Sequence, residues 1–448
     1  MKKIRSVKEL CEFIWYLEEK YNLLHFEIDG VKPWQYLRMD IYYTLARKTN
    51  ILEIQNSSQK SFSMIFKNSF KLIKNSILHN PFFNIQKVDN IVFTHNRSKE
   101  VDGKNIDIYT KYFIDSLKNA QVSYLCYEKP FHGSHIRVRE KNTFYTDFIL
   151  SVSIIYGKMY TIKDKTKLDF IQEIENEINS KLDINFNLRE LFKKNIGRFK
   201  AGYKSYYYLF TKIKPKKIYL VAGYSYLGDM IKAAKDLNIE TLEFQHGVIS
   251  KYHLGYSFPH RQSLEYYPDK FYSWGTFWNA SINNIFDKNI IDAGFAYFQN
   301  VKEKYTNIQK IDNKVIIISQ AALGNQIMHE TLKIIDDLKN YQVYYKLHPE
   351  EYTRYKEYDS YHALKEYKNI TFLMDCDLYS HLAEATIQIG VFSTALYEGL
   401  EFNCNTLLYD LPGVEYIDNL LETKCAHMFS IKNITRKTNS SKETFFVV

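Results

Sequence analysis

From about residue 88 onward the chain alternates short apolar runs with amphipathic, helix-length segments. Strands that alternate with helices cannot be joined by hairpins, so they pair in parallel and are covered by helices on both faces. A first series of strands is expected at Asn90–Thr94, Val122–Cys126, Lys217–Ala222, Glu240–Phe244, Asp269–Trp274 and Ile290–Ala293. Residues 298–313 are polar and charged without a hydrophobic period, which fits a linker. A second series follows at Lys314–Ser319, Gln342–Leu347, Ile370–Leu373, Thr386–Ile389 and Thr406–Tyr409. The expected fold class is therefore α/β, with two Rossmann-like domains facing a cleft and an N-terminal helical extension. The expected boundaries are 1–85 for the extension, 86–300 for the first domain, 301–313 for the linker and 314–448 for the second domain.

Three segments lie outside this alternation. Residues 1–50 read as helices with an aromatic cluster (Trp15, Tyr16, Phe26, Trp34, Tyr36), turning at Asp29-Gly30. Residues 59–78 form an amphipathic pattern, with Phe62, Ile65, Phe66, Phe70, Ile73 and Ile77 on one helical face and Lys67, Lys71 and Lys74 off it. Such a stripe serves either a core or a membrane interface. The apolar stretch Phe148–Tyr156 has the length of a buried strand.

Bulk properties exclude several classes. The 448 residues are too many for one ordinary core, and 45% are hydrophobic, enough for more than one. Five cysteines without a CxxC pair argue against a disulfide framework or zinc module and for a reducing compartment. The N-terminus carries Glu9, Glu12, Glu18 and Glu19 in place of an apolar signal core, and no run has the roughly 18 apolar residues of a membrane span. The expected location is cytoplasmic, with peripheral contact at the inner face of the membrane as an option. The net charge of +9 fits nucleic acid, an anionic membrane or a phosphorylated substrate. Only the basic, Tyr-rich stretch 193–217 speaks for nucleic acid, so no nucleic-acid partner is expected. Walker, GxGxxG, HExxH and GxSxG patterns are absent, which removes the usual support for kinases, dehydrogenases, zincins and α/β-hydrolases.

The chemistry-bearing residues recur at one kind of place, directly after an expected strand, where open α/β sheets bind ligands. Ser319-Gln320 follow VIII, and His348-Pro349 follow YYKL. His348, held by Pro349, would meet a donor phosphate, with Lys346 two residues earlier on the same strand face. A surface turn is the alternative for His-Pro. Gly390 ends a strand and Ser393-Thr394 open a helix, which makes either an anion site or a plain N-cap, and Glu398 lies one turn on, in reach of a ribose. His246, before the close-approach residue Gly247, is the candidate general base, and His253 is a second candidate. A histidine bonded to backbone is the alternative for both. Asp375-Cys376-Asp377 imitates a DxD metal motif, but Asp377 stands where an N-cap is expected, so no metal site is assigned.

In their order and spacing, SQ at 319–320, KLHP at 346–349, IGVFSTALYEGL at 389–400 and LLYDLPG at 407–413 resemble the C-terminal domain of GT-B glycosyltransferases from bacterial capsule and lipopolysaccharide pathways. QHG at 245–247 and DKFYSWG at 269–275 resemble the region before it, so the likeness spans roughly residues 215–420. Bacterial sialyltransferases share a His-Pro and a Ser/Thr motif of this style, and teichoic-acid glycerophosphotransferases pair a His-Gly with a His-Pro. The resemblance implies metal-independent transfer of a sugar from a nucleotide-sugar to a glycan or lipid-linked acceptor, with no cofactor beyond that donor. Ser319, Gln320, Lys346, His348, Gly390, Ser393, Thr394 and Glu398 would then hold the donor, and His246, Gly247 and His253 the acceptor side. The acidic base motif of sialyltransferases is matched only in part, by Asp102-Gly103, so the base stays open between His246 and Asp102. A CDP-alditol phosphotransferase and a non-catalytic subunit of polysaccharide assembly are the rival readings.

Overall fold

The structure is a computed structural model that describes residues 4–52, 71–83, 85–101, 103–131, 134–434 and 445–446. Asp102 and residues 59–70 of the amphipathic segment lie outside the described residues.

The first domain is built on β1 (Asn90–Thr94), a hairpin of β2 (Ser98–Val101) and β3 (Lys104–Asp107), then β4 (Tyr124–Glu128), β5 (Thr143–Tyr145), β6 (Lys217–Val221), β7 (Glu240–Phe244), β8 (Lys270–Ser273) and β9 (Ile290–Asp292). Seven of these form one sheet in the order β5-β4-β1-β6-β7-β8-β9, with every pairing parallel. The second domain contains β10 (Ile311–Ile318), β11 (Gln342–Lys346), β12 (Ile370–Leu373), β13 (Ala385–Gly390), β14 (Asn405–Leu408) and β15 (His427–Met428). They form a parallel sheet in the order β12-β11-β10-β13-β14-β15. These are the two expected Rossmann-like domains. Their central strands are buried on both faces, which is why β1, β6 and β10 read as continuous apolar runs.

Strand order reverses once in each sheet. In the first, the chain winds outward from β1 through β4 to β5, then returns to β6 and winds the other way. In the second the reversal falls between β10 and β13. Crossover helices diverge at such a point and leave a crevice at the carboxyl ends of the two strands.

The N-terminal helices Val7–Lys20 and Pro33–Lys48 pack into the core that holds the second sheet and Val221, Phe271 and Trp274 of the first domain. Between them Asp29 and Gly30 both take positive φ in a tight turn bracketed by an Ile28–Val31 bridge, as the Asp-Gly pair predicts. Arg38, 1% exposed, donates to Glu18 at 2.6 and 2.9 Å, to Ser257 O at 2.9 Å and to Leu254 O, and its guanidinium lies 3.8 Å over Phe258. The extension thus fixes the loop after β7. It also reaches the second domain, where the Tyr42 and Tyr416 hydroxyls meet. Phe445 and Phe446 return to the first domain, and Phe445 O accepts from Trp278 Nε1 at 2.7 Å.

Three expected elements differ. Phe148–Tyr156 is not a strand but lies in the helix Asp147–Met159. Its inner stripe of Ile149, Ser153 and Gly157 packs on the helix Leu188–Ile213, and Gly157 meets Gly197 at the crossing. Its outer stripe is also apolar, so no amphipathic period marked it as a helix. The polar stretch after β1, outside every expected strand, forms the β2–β3 hairpin. β10 starts at Ile311, which pairs with Ala385, three residues before the expected start.

Candidate functional site

The switch point of the first sheet is flanked by His95-Asn96-Arg97 after β1 and Ala222-Gly223-Tyr224 after β6. That of the second is flanked by Ser319-Gln320 after β10 and Val391-Phe392-Ser393 after β13. There Gln320 Oε1 accepts from Phe392 N at 3.0 Å, tying the two strand ends together. Ser319 is buried and accepts from Tyr345 OH at 3.2 Å. Gly390 lies against the Leu396 side chain, so its role is close packing of the helix that follows.

Ser393 caps the helix Thr394–Glu401, its Oγ accepting from Ala395 N at 3.2 Å. The cap uses a lone pair and leaves the hydroxyl proton to donate, so capping and anion binding are compatible at this residue. Thr394 faces the other domain: a β-carbon on Gly247 would stand 3.9 Å from its Oγ1. Glu398 is buried, accepts from Tyr379 OH at 3.2 Å, and is pushed up by burial against the pull of Lys99 and Arg97.

His348 heads the 3-10 turn Pro349–Glu351. Its N–H donates to Glu351 Oε2 at 2.9 Å, and its Nδ1 accepts from Glu350 N at 3.2 Å. With Nδ1 accepting, the proton of the neutral ring sits on Nε2, a donor. Burial lowers its pKa, Glu350 opposes, and the charges of Arg97, Lys346 and Arg354 lower it further. Lys346 is occupied as a brace, with Nζ donating to Leu347 O at 2.8 Å, Tyr352 OH at 2.9 Å and Met374 O at 2.6 Å.

His246 follows β7, one strand beyond the first switch point. Its Nε2 lies 3.0 Å from Tyr224 OH and its Nδ1 3.4 Å from Tyr256 OH. Tyr256 OH in turn donates to Glu243 Oε1, which also accepts from Gly223 N at 3.0 Å. Glu243 is fully buried, and burial pushes its carboxyl up to about 7. His246 is held neutral, first by burial and then by His95, His253 and Arg97. Gln245 is structural: its Oε1 accepts from Trp274 N at 2.8 Å and its Nε2 donates to Gly247 O at 3.0 Å. His253 packs against Tyr224 and Tyr256 and is lowered by burial to about 4.

Sequence reasoning missed the residues that join these walls. His95 lies 5.8 Å from His246, ring to ring, and its Nδ1 accepts from Arg97 N at 3.1 Å. Arg97 donates to Tyr109 OH at 3.2 Å and remains solvent-exposed while groups of both domains ring it. Its charge acts on His246 of the first domain and on His348 and Glu398 of the second. Lys99, on β2, crosses to the second domain, 3.3 Å from Tyr379 OH and 4.4 Å over its ring. The same rule that found His246 and His348, a polar group just after a strand, applies to His95, which follows β1 directly.

The regions around 246 and 393 therefore meet through Gly247 and Thr394, and His348 lies within the field of Arg97. Two cavities, of about 430 and about 480 Å³, are lined by none of the candidate site residues. Asp377 is the expected N-cap, accepting from Tyr379 N at 3.1 Å, and no metal-binding cluster occurs among the described residues. No described helix is long and apolar enough to cross a membrane.

No family model and no curated protein matches this chain. It is similar to solved structures at low identity. The UDP-GlcNAc 2-epimerase of Methanocaldococcus jannaschii shares 13% identity at a TM-score of 0.43, covering 78% of this chain and 92% of that one. The α,α-trehalose 6-phosphate synthase of Burkholderia multivorans shares 9% at 0.41, covering 80% and 88%. A glycosyltransferase of Streptomyces sp. SF2575 shares 8% at 0.35, covering 76% and 87%.

Proposed function

We propose that this protein is a metal-independent GT-B glycosyltransferase that moves a sugar from a nucleotide-sugar to a glycan or lipid-linked acceptor of a surface polysaccharide. The observation that carries the reading is Arg97, a guanidinium whose charge reaches His246, His348 and Glu398 across the crevice. The donor diphosphate lies between Arg97, the Nε2–H of His348 and the start of the helix Thr394–Glu401, where charge develops on the leaving group. Glu398 receives the ribose or the sugar.

His246 accepts the acceptor hydroxyl's proton. Its basicity is suppressed by burial, with His95, His253 and Arg97 adding to it. An anionic donor beside Arg97 offsets that positive field and raises the imidazole's proton affinity, so donor binding readies the base. Tyr256 and Glu243 extend the hydrogen-bond path away from His246. Asp102 keeps its standing as the rival base.

The test is a panel of CMP-, CDP-, UDP- and GDP-linked sugars and CDP-alditols, read by thermal shift and product detection. One sugar nucleotide should raise the melting temperature and yield glycosylated product, and Arg97→Ala should cut turnover by roughly 10²-fold or more. Transfer of an alditol phosphate would favour the phosphotransferase reading. No stabilisation by any member of the panel would overturn transfer altogether.

A further inference from the structure

On the β5 edge of the first domain, apolar side chains stand in solvent on three adjoining segments. The helix at 71–78 exposes Ile73 (60%) and Ile77 (59%), so this end of the amphipathic segment does not turn that stripe into a core. The helix Asp147–Met159 exposes Phe148, Ile155 and Met159 (75%), spaced seven and four apart on one face. The loop after β4 exposes Ile136 and Val138 (85%).

The three segments are fastened together. Asn75 Nδ2 donates to Asp147 Oδ1 at 3.2 Å, and Lys71 Nζ to Ser134 Oγ at 3.4 Å. Phe82 packs edge-on against Phe148 at 5.6 Å. Under the loop, His135 is clamped between Glu128 at 2.7 Å and Asp147 at 2.9 Å. Arg137 turns inward between Ile136 and Val138, donating to Thr94 Oγ1 at 2.9 Å, to Glu128 Oε2 at 2.7 Å and to His95 O. The apolar face therefore runs to the rim of the crevice at the end of β1.

Its charge is of one sign. Residues 71–88 contain three lysines and no carboxylate. Across the three segments Lys71, Lys74, Arg139, Lys141 and Lys158 are exposed, against the exposed Glu140. Protruding apolar side chains interleaved with lysines match a bilayer interface, where the apolar groups enter the acyl boundary and the ammonium groups meet anionic headgroups. A protein partner fits less well, because lysine is depleted from protein–protein interfaces.

We propose that this face docks the first domain on a bilayer rich in anionic lipid, with the mouth of the crevice turned toward the membrane surface. The docking does not depend on the transfer reaction. The test is flotation of the full chain with phosphatidylcholine vesicles, with and without phosphatidylglycerol. Binding is expected only with the anionic lipid, weakening with added salt and by roughly fivefold for each of Lys74 and Lys158 neutralised by Gln. The paired change Ile77→Asp and Met159→Asp should abolish it while leaving the melting temperature and circular dichroism unchanged, since both side chains are exposed. Failure of the wild type to float with phosphatidylglycerol, or flotation of the Asp pair like wild type, overturns the proposal. So does light scattering that shows a dimer which the Asp pair dissolves, because the face then covers a second copy of this chain.

Discussion

Glu243 lies in the middle of β7, fully buried, with its carboxyl at about 7 and its Oε2 without a hydrogen-bond partner. The unfolded chain releases that proton near 4.5, whereas the folded chain keeps it to about 7. Its contribution to stability is therefore complete below about pH 4.5 and lost as pH rises through 7, by up to about 3 kcal/mol. Asp229, also raised by burial to about 7, acts in the same direction. Glu243→Gln should flatten the pH dependence of the melting temperature between 4.5 and 7.5, and an unchanged slope would remove Glu243 as its source. At His348, replacement by Ala should lower turnover by roughly 10²-fold or more at constant fold, and a fully active variant would strip it of its phosphate role. His246, His348 and Ser393 were legible because each follows an apolar run directly. Arg97 and Lys99 were not, because a cation in a polar stretch has no local signature of what it faces. Only the hairpin carries them across to Glu398 and Tyr379.

Elements owe their placement to contacts the sequence does not display. The helix Thr394–Glu401 is pressed onto β13 so closely that a β-carbon on Gly399 would collide with the Gln388 amide. That amide is engaged, with Nε2 donating to Leu396 O at 2.7 Å and Thr406 Oγ1 at 2.8 Å. Gly399→Ala should cost about 2 kcal/mol in chemical denaturation, through overpacking and loss of these bonds, although alanine is the better helix former. A neutral or stabilising result would mean that the helix can lift away from the sheet. Periodicity found the strands because parallel strands are uniformly apolar. It misread Phe148–Tyr156 because that helix is apolar on its exposed side too, where the inferred membrane face lies.

At the scale of the whole molecule, the N-terminal helices, the second domain and the Phe271–Trp278 side of the first domain share one apolar core, while the first sheet carries two clusters of its own. Trp278 of the first domain packs on Tyr397 of the second at 4.5 Å, and Phe298 on Tyr379 at 5.8 Å. The extension is thus part of the scaffold, and its buried Glu18–Arg38 pair holds the loop that carries His253 and Tyr256. Glu18→Ala strands a buried guanidinium and should cost about 3–5 kcal/mol. A loss confined to the N-terminal helices in hydrogen exchange, with the 250–258 loop still protected, would contradict that coupling. The cross-domain contacts of Lys99 and Thr394 describe a crevice whose walls already approach each other.

The sequence by itself determined the local terms. Apolar runs specify the strands, breaks in them place polar groups at the strand ends, and Ser393 and Asp377 mark helix starts through hydrogen bonds within two residues. The tertiary structure decided which of those strand ends meet. Strand order in a parallel sheet is set by packing between segments tens to hundreds of residues apart, and no short-range pattern encodes it. The switch points, the reach of Arg97 across the crevice and the burial that tunes Glu243 and His246 all follow from that order.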